Sequence, residues 1–197
     1  MKSNEKNVVI TSAVRTPVGT FGGSLKNIQG HMLGSVVIKK VLKKSKIKSN
    51  DVDEVIMGQV LTGSAGQNPA RQAAIQAGLP IDKTAYVINQ VCGSGLRSVA
   101  AGYQAIMSND ANIIVAGGQE SMSNAPHAIN IRKGQKLKES KLVDTMIKDG
   151  LWDAFNGYHM GITAENVASK WQITRKDQDD FALSSQTKTE KAQKDGK

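Results

Sequence analysis

The 197 residues include a single cysteine, which leaves no partner for an internal disulfide and fits a reducing compartment. Aromatic residues are scarce at 4% and are not interleaved with the basic clusters, which removes the stacking platform that a single-strand nucleic-acid binder needs. Histidines stand only at positions 31, 127 and 159, too scattered for a metal-ligand set, so no metal is expected. No apolar run is long enough to cross a bilayer, and the stretch from Met1 to Asn7 is polar, without a signal-peptide core. These absences predict a cytoplasmic protein with no membrane partner.

Basic residues are plentiful, and the formal net charge is +9. Their placement argues against nucleic acid. Lys39, Lys40, Lys43 and Lys44 form one stripe of a helical pattern, with Val37, Ile38, Val41 and Leu42 on the opposite one. That is an amphipathic helix with a solvated basic face. A basic surface can still attract an anionic cofactor such as a nucleotide-bearing thioester.

Apolar patterning sets out an alternation. Val8-Val9-Ile10 has the composition of a short strand, and a helix is predicted from about Gly30 to Lys44. Val55 to Val60 reads as a strand, and a helix opened by Pro69 ends near Gly78. Ala85 to Ile88, a helix from Leu96 to about Met107, and Ile113 to Ala116 complete the series. Strands alternating with three-turn helices predict an α/β fold with a mostly parallel, layered sheet. Beyond Glu120 the texture turns polar, and a boundary is expected near Ser121, giving domains at 1–120 and 121–197. In the second, Met160, Ala164, Val167, Ala168 and Trp171 recur at helical spacing, and a last helix is predicted over about Arg175–Gln193, with Thr174 and Asp177 as a capping box.

The lone cysteine stands in Asn89-Gln90-Val91-Cys92-Gly93-Ser94-Gly95-Leu96-Arg97. An apolar strand leads in, two glycines permit a tight turn, and Leu96, Val99, Ala100 and Tyr103 start a helix just beyond the sulfur. A thiol at a helix N-terminus feels the positive end of the backbone dipole, which favours the thiolate. In parallel sheets reactive groups gather at the carboxyl ends of strands, where Cys92 falls. Two readings stay open on these residues alone: a nucleophile, or the small buried apolar residue that a lone cysteine more commonly is.

Further segments complete a pattern that resembles the thiolases. They are Val9-Ile10 through Arg15-Thr16-Pro17, Gly19-Thr20-Phe21-Gly22-Gly23, Gly66-Gln67-Asn68-Pro69-Ala70-Arg71-Gln72, Gly117-Gly118-Gln119-Glu120-Ser121-Met122-Ser123, and Gly157-Tyr158-His159-Met160-Gly161 through Ala168. The cysteine motif and Tyr158-His159-Met160-Gly161 are the specific ones. The latter also separates the chain from ketoacyl synthases and hydroxymethylglutaryl-CoA synthases, which share the architecture and a nucleophilic cysteine.

The resemblance implies a thiolase-like layered fold of which this chain is the amino-terminal half plus part of the inserted loop domain, with the carboxy-terminal half absent. It implies condensation of two acetyl-CoA to acetoacetyl-CoA plus CoA, or the reverse thiolysis, with Cys92 as the nucleophile. Leu151, His159 and Met160 match positions lining the pantetheine and acyl pocket, and no cofactor is expected beyond the coenzyme A thioester itself. His159 and Met160 read without the resemblance as a capping or core histidine and a core methionine. The sequence lacks the family's Asn-Glu-Ala-Phe and Gly-His-Pro motifs and its second, acid/base cysteine. A homo-oligomer or a complementing carboxy-terminal half is therefore expected as partner, besides acetyl-CoA and CoA. The stretch from about Asn124 to Lys141 resembles the family's tetramer-contact region. The competing expectation is a catalytically incompetent, truncated or split subunit.

Overall fold

The computed structural model describes residues 7–132 and 141–196. Contacts divide the chain into two units after Gly150. The expected boundary near Ser121 coincides with the end of the sheet, while residues up to Gly150 stay with the first unit.

The first unit is built on three parallel strands in the order β2-β1-β3: β1 Glu54–Gly58, β2 Thr84–Ile88 and β3 Ile114–Gly118. They run in flush register, with Glu54 opposite both Thr84 and Ile114, and Gly58 opposite both Ile88 and Gly118. Three carboxyl ends thus meet along one edge. Parallel pairs need long crossovers, and the helices supply them: α2 Pro69–Gln76 joins β1 to β2, and α3 Ser94–Met107 joins β2 to β3. Helix α1 is Gly30–Ser45.

Alternation along β1 sends Val55 and Met57 to one face, where they join Ile38 and Leu42 of α1 and Ala70, Ala73 and Ala74 of α2 in the core. Helix α1 buries Gly30, Gly34, Ile38 and Leu42, one residue per turn, while Lys39, Lys40, Lys43 and Lys44 are exposed as the stripe requires. The other face takes α3. There Ser94, Ser98 and Gly102 are the buried residues, and a Cβ on Gly102 would lie 3.2 Å from Ile114.

Small residues bring α3 very close. A Cβ on Gly58 would fall 2.4 Å from the Ser94 carbonyl carbon and 2.5 Å from the Gly95 nitrogen, and one on Gly118 would fall 3.4 Å from the Gly95 Cα. The fully buried Ser98 hydroxyl lies 2.7 Å from the carbonyl oxygens of both Gly95 and Gly117, sharing its proton between helix and strand.

Val8-Val9-Ile10 does not form the expected strand. A strand exists through its pairing, and this stretch has no ladder partner among the described residues, with Val9 and Ile10 largely exposed. Together with α1, α3 and β3 it lines an apolar groove of about 770 Å³. After β3, the two-residue strands β4 His127–Ala128 and β5 Val143–Asp144 pair antiparallel. Much of the expected tetramer-contact stretch, 133–140, lies outside the described residues.

The second unit holds α4 Met160–Trp171 and α5 Arg175–Lys194. The capping box forms as the sequence predicts: the Thr174 hydroxyl accepts from the Asp177 N–H at 3.2 Å, and the Asp177 carboxylate accepts from the Thr174 N–H at 2.9 Å. Among the described residues of this unit none is buried, and Phe155, Trp171, Phe181 and Leu183 are all well exposed.

Two outcomes test this account. Gly58→Ala should cost about 3 kcal/mol, because its methyl meets helix backbone rather than a movable side chain; Gly117→Ala, whose methyl would meet the flexible end of Met57 no nearer than 3.8 Å, should stay within about 0.5 kcal/mol. Equal urea midpoints for the two variants would refute the close contact. The second concerns Asp53, whose Oδ2 accepts from the Asn112 N–H at 2.7 Å and the Ile113 N–H at 3.0 Å. Those bonds hold its carboxyl below the ordinary 3.8. A depressed folded value stabilises above the unfolded pKa and is lost as pH falls through the folded one. The stability difference between wild type and Asp53→Asn should therefore shrink as pH is lowered below about 4, and a pH-independent difference would contradict it.

Candidate active site

Strand β2 ends at Ile88 and α3 begins at Ser94, so the thiol turn has only the five residues between them. Val91, just before the cysteine, has φ 47°, a left-handed conformation. For a β-branched residue this is an outlier that costs on the order of 1–3 kcal/mol and survives only where its surroundings over-determine it. They do so here. The Asn89 side-chain oxygen accepts from the Val91 N–H at 2.9 Å. The buried Ser94 hydroxyl accepts from the Gln90 N–H at 2.8 Å and donates to the Val91 carbonyl at 2.6 Å. The Gly93 N–H donates to the Gln90 carbonyl at 3.1 Å. Cys92 emerges from this turn as a free, exposed thiol, so its sulfur is not core packing. The N-cap of α3 is Gly93, which brings no side chain to its first turn.

Beside the turn, at the ends of β1 and β3, stand three polar residues to which sequence reading gave no role. Gln59 and Gln119 are neighbours by register and both buried; the Gln119 amide donates to Gln59 Oε1 at 2.9 Å. Gln119 Oε1 is buried without a partner, against Gly34, where a Cβ would sit only 1.8 Å away. Glu120 accepts from the Val60 N–H at 2.8 Å and from the Leu61 N–H at 3.4 Å. Burial pushes its carboxyl above the ordinary range, and the N–H groups of Val60, Leu61 and Ser121 pull it partly back. The available signal was the register itself: equal 30-residue spacing of the strands places 59 beside 119.

The Gly66–Gln72 motif proves to be a stitch for loops. Asn68, left-handed at φ 42°, caps α2 by accepting from the Arg71 N–H at 3.1 Å and donates to the Ala85 carbonyl at 2.8 Å. The Arg71 guanidinium donates to the Lys83 and Ile81 carbonyls, and the Gln72 amide to those of Ala65 and Gln67. The approach to β2, and so to the thiol turn, is anchored from α2.

The second unit brings the other three expected residues onto one hairpin. Leu151 closes a wide helical turn, Met146–Leu151, and Trp152 bridges His159 antiparallel. The loop between them is tied by Asp153, whose Oδ1 accepts from the Phe155 and Asn156 N–H groups, each at 2.8 Å. With the Asn156 side chain, these bonds hold the Asp153 carboxyl below its ordinary value. His159 is the N-cap of α4, its Nδ1 accepting from the Gly161 N–H at 3.0 Å, which places the neutral ring's proton on Nε2. It is a capping histidine, one of the alternatives the sequence offered. Met160 opens α4 half-exposed rather than in a core.

The model of the thiolase N-terminal domain matches residues 8–197. Proteins named acetyl-CoA acetyltransferase are similar throughout: one from Paracoccus denitrificans is 61% identical over 189 residues, covering 96% of this chain and 48% of its own length. One from Rhizobium meliloti is 60% identical over 191 residues, 97% of this chain and 49% of its own. The cytosolic one of Rattus norvegicus is 50% identical over 196 residues, all of this chain and 49% of its own. The chain spans about half the length of these curated relatives.

The capping geometry carries its own test. His159→Ala should destabilise the second unit by about 1 kcal/mol, while His159→Ser, which restores a capping oxygen, should lose only a few tenths. Both tryptophans, Trp152 and Trp171, lie in that unit, so their fluorescence reads its unfolding directly. Equal losses in the two variants would show that the ring does more than cap.

Proposed function

The chain belongs to the thiolase family, and from that premise we propose that it is the nucleophile-bearing portion of an acetyl-CoA acetyltransferase, in which Cys92 takes an acetyl group from acetyl-CoA. The observation that carries this is the exposed thiol on a strained turn braced by Asn89 and Ser94, at the carboxyl edge of a parallel sheet and directly before a helix. The Cys92 thiolate attacks the thioester carbon, the tetrahedral intermediate collapses, and CoA leaves as its thiolate while acetyl stays on sulfur. The Cys92 N–H is assigned as one donor to the oxyanion. Leu151, His159 and Met160 are assigned to the pantetheine and acyl pocket. The substrate carries the chemistry, and no further cofactor is proposed.

Condensation then needs a base for the α-proton of a second acetyl-CoA, whose α-carbon attacks the acetyl-Cys92 carbonyl and releases the thiolate with acetoacetyl-CoA. The sequence holds no second cysteine to serve as that base. Positioned acid/base groups contribute roughly 10²–10⁴-fold, so the chain alone is expected to stop at the acyl-enzyme stage. Residues 121–197 are assigned to the loop domain on the CoA-binding side, and the remaining groups to a complementing carboxy-terminal half or a homo-oligomeric partner. Two surfaces support that need for cover. Helix α3 turns its large residues Leu96, Tyr103 and Met107 outward, and the second unit buries nothing among its described residues. No helix of the described residues is long and apolar enough to cross a membrane, and we assign the protein to the cytoplasm and to lipid metabolism.

Intact mass after brief exposure to acetyl-CoA tests the reading. One acetyl adduct is expected on the wild type and none on Cys92→Ser. An unmodified wild-type chain that is folded and soluble would overturn acyl transfer by this half.

A further inference from the structure

The half-buried Glu120 carboxylate is unused by acyl transfer, yet it lies in a continuous bonding path to the thiol turn. Its partners are the backbone of Val60 and Leu61, where the chain leaves β1. Every hydrogen-bonding group of that dipeptide goes to a side chain. The Val60 N–H donates to Glu120 at 2.8 Å, and the Val60 carbonyl accepts from Asn89 Nδ2 at 3.4 Å. The Leu61 N–H donates to Glu120 at 3.4 Å, and the Leu61 carbonyl accepts from Gln59 Nε2 at 3.0 Å. Backbone groups ordinarily pair with backbone, so a dipeptide pinned on all four by side chains from three segments takes all its hydrogen bonds from those side chains. Asn89 is shared: the amide that donates to Val60 also accepts, through its oxygen, from the Val91 N–H at 2.9 Å.

We propose that Glu120 is a positioning residue for Cys92: through the pinned Val60–Leu61 dipeptide and the bidirectional Asn89 amide, it fixes the left-handed Val91 turn from which the thiol projects. The inference rests on the reading of Cys92 as nucleophile and adds a residue that never touches substrate. Two features suit a carboxylate to this place. Two acceptor oxygens on one carbon reach two consecutive N–H groups at once. Charge-assisted bonds are also the stronger kind, as a strained turn requires of its anchor.

The test follows amide hydrogen exchange in the 197-residue chain, as the ratio of the Val91 rate to that of Ile56 in the central strand. Glu120→Ala should raise this ratio by about tenfold or more, and Glu120→Gln, which keeps one acceptor, by no more than about threefold. In an Asn89→Ala background, adding Glu120→Ala should change the ratio by less than about twofold, because the path is already cut. A ratio unmoved by Glu120→Ala, or an Ile56 rate that rises in step with Val91, would overturn the proposal in favour of a merely structural carboxylate. Should Glu120→Ala not fold, Glu120→Asp, one methylene shorter, replaces it with an expected rise of about fivefold, and no rise overturns the proposal. Acetyl uptake from acetyl-CoA is read in parallel. It should slow about tenfold in Glu120→Ala while iodoacetamide alkylation of Cys92, which needs only an exposed thiol, stays within about threefold. Absence of acetyl uptake in the wild type would sink the nucleophile reading alone, since the exchange ratio is measured without substrate.

Discussion

The near-contact of a helix backbone with a strand backbone governs this half-molecule. Helix α3 meets the sheet at Gly58, Gly95 and Gly118, where a single methyl at Gly58 would overlap the helix. That approach sets where α3 begins, and the start of α3 sets where the chain must turn after β2. Five residues have to cover the distance from Ile88 to Ser94, and the strain is taken by Val91. The position of the sulfur is thus a consequence of three missing side chains elsewhere.

Polar side chains do at the sheet edge what backbone pairing does within it. Beyond Gly58 and Gly118 the strand pairing ends, and the side chains of Gln59, Glu120, Asn89 and Ser94 take over the satisfaction of backbone groups, with Gln119 donating to Gln59. The stretch Ser121–Asn124 extends the scheme outward. Ser121 donates to the Ile28 carbonyl, Asn124 to those of Lys26 and Ile28, and Ser123 accepts from the Gly22 N–H. What reads in the sequence as one family signature, Gly117 to Ser123, is therefore a clamp joining the glycine contact, the thiol turn and the loop before α1.

Much of this was legible from periodicity. The three strands and five helices lie within about two residues of their expected ends, because each carries an apolar period bounded by proline or glycine or, in polar α5, a capping box at its start. Cys92 stood out through its turn, and Thr174 and Asp177 through their spacing. The failures have physical causes. Val8-Val9-Ile10 has strand composition, but composition does not supply a pairing partner. In α3 the period identifies a helix without saying which face is buried. Close approach to glycine favours Ser94, Ser98 and Gly102 inward, so Leu96 and Tyr103 are the ones left outside. The sequence offered His159 as a cap or a core residue without deciding between them, and Glu120 as an anchor depends on where backbone N–H groups point, which no spacing rule encodes.

The flush parallel register also has a kinetic side. The bond between Val60 and Glu120 closes a span of 60 residues, and β3 pairs with β1 across the whole stretch that holds α2, β2 and α3. Such long-range pairing makes for high contact order and slow assembly, with loop closure preceding any gain. During synthesis, residue 92 leaves the ribosome well before residue 120, so for an interval the thiol stands on a turn held only by its own local bonds from Asn89 and Ser94. In that interval it is an ordinary cysteine, open to oxidation like any other, and only the arrival of β3 turns it into a part of a site.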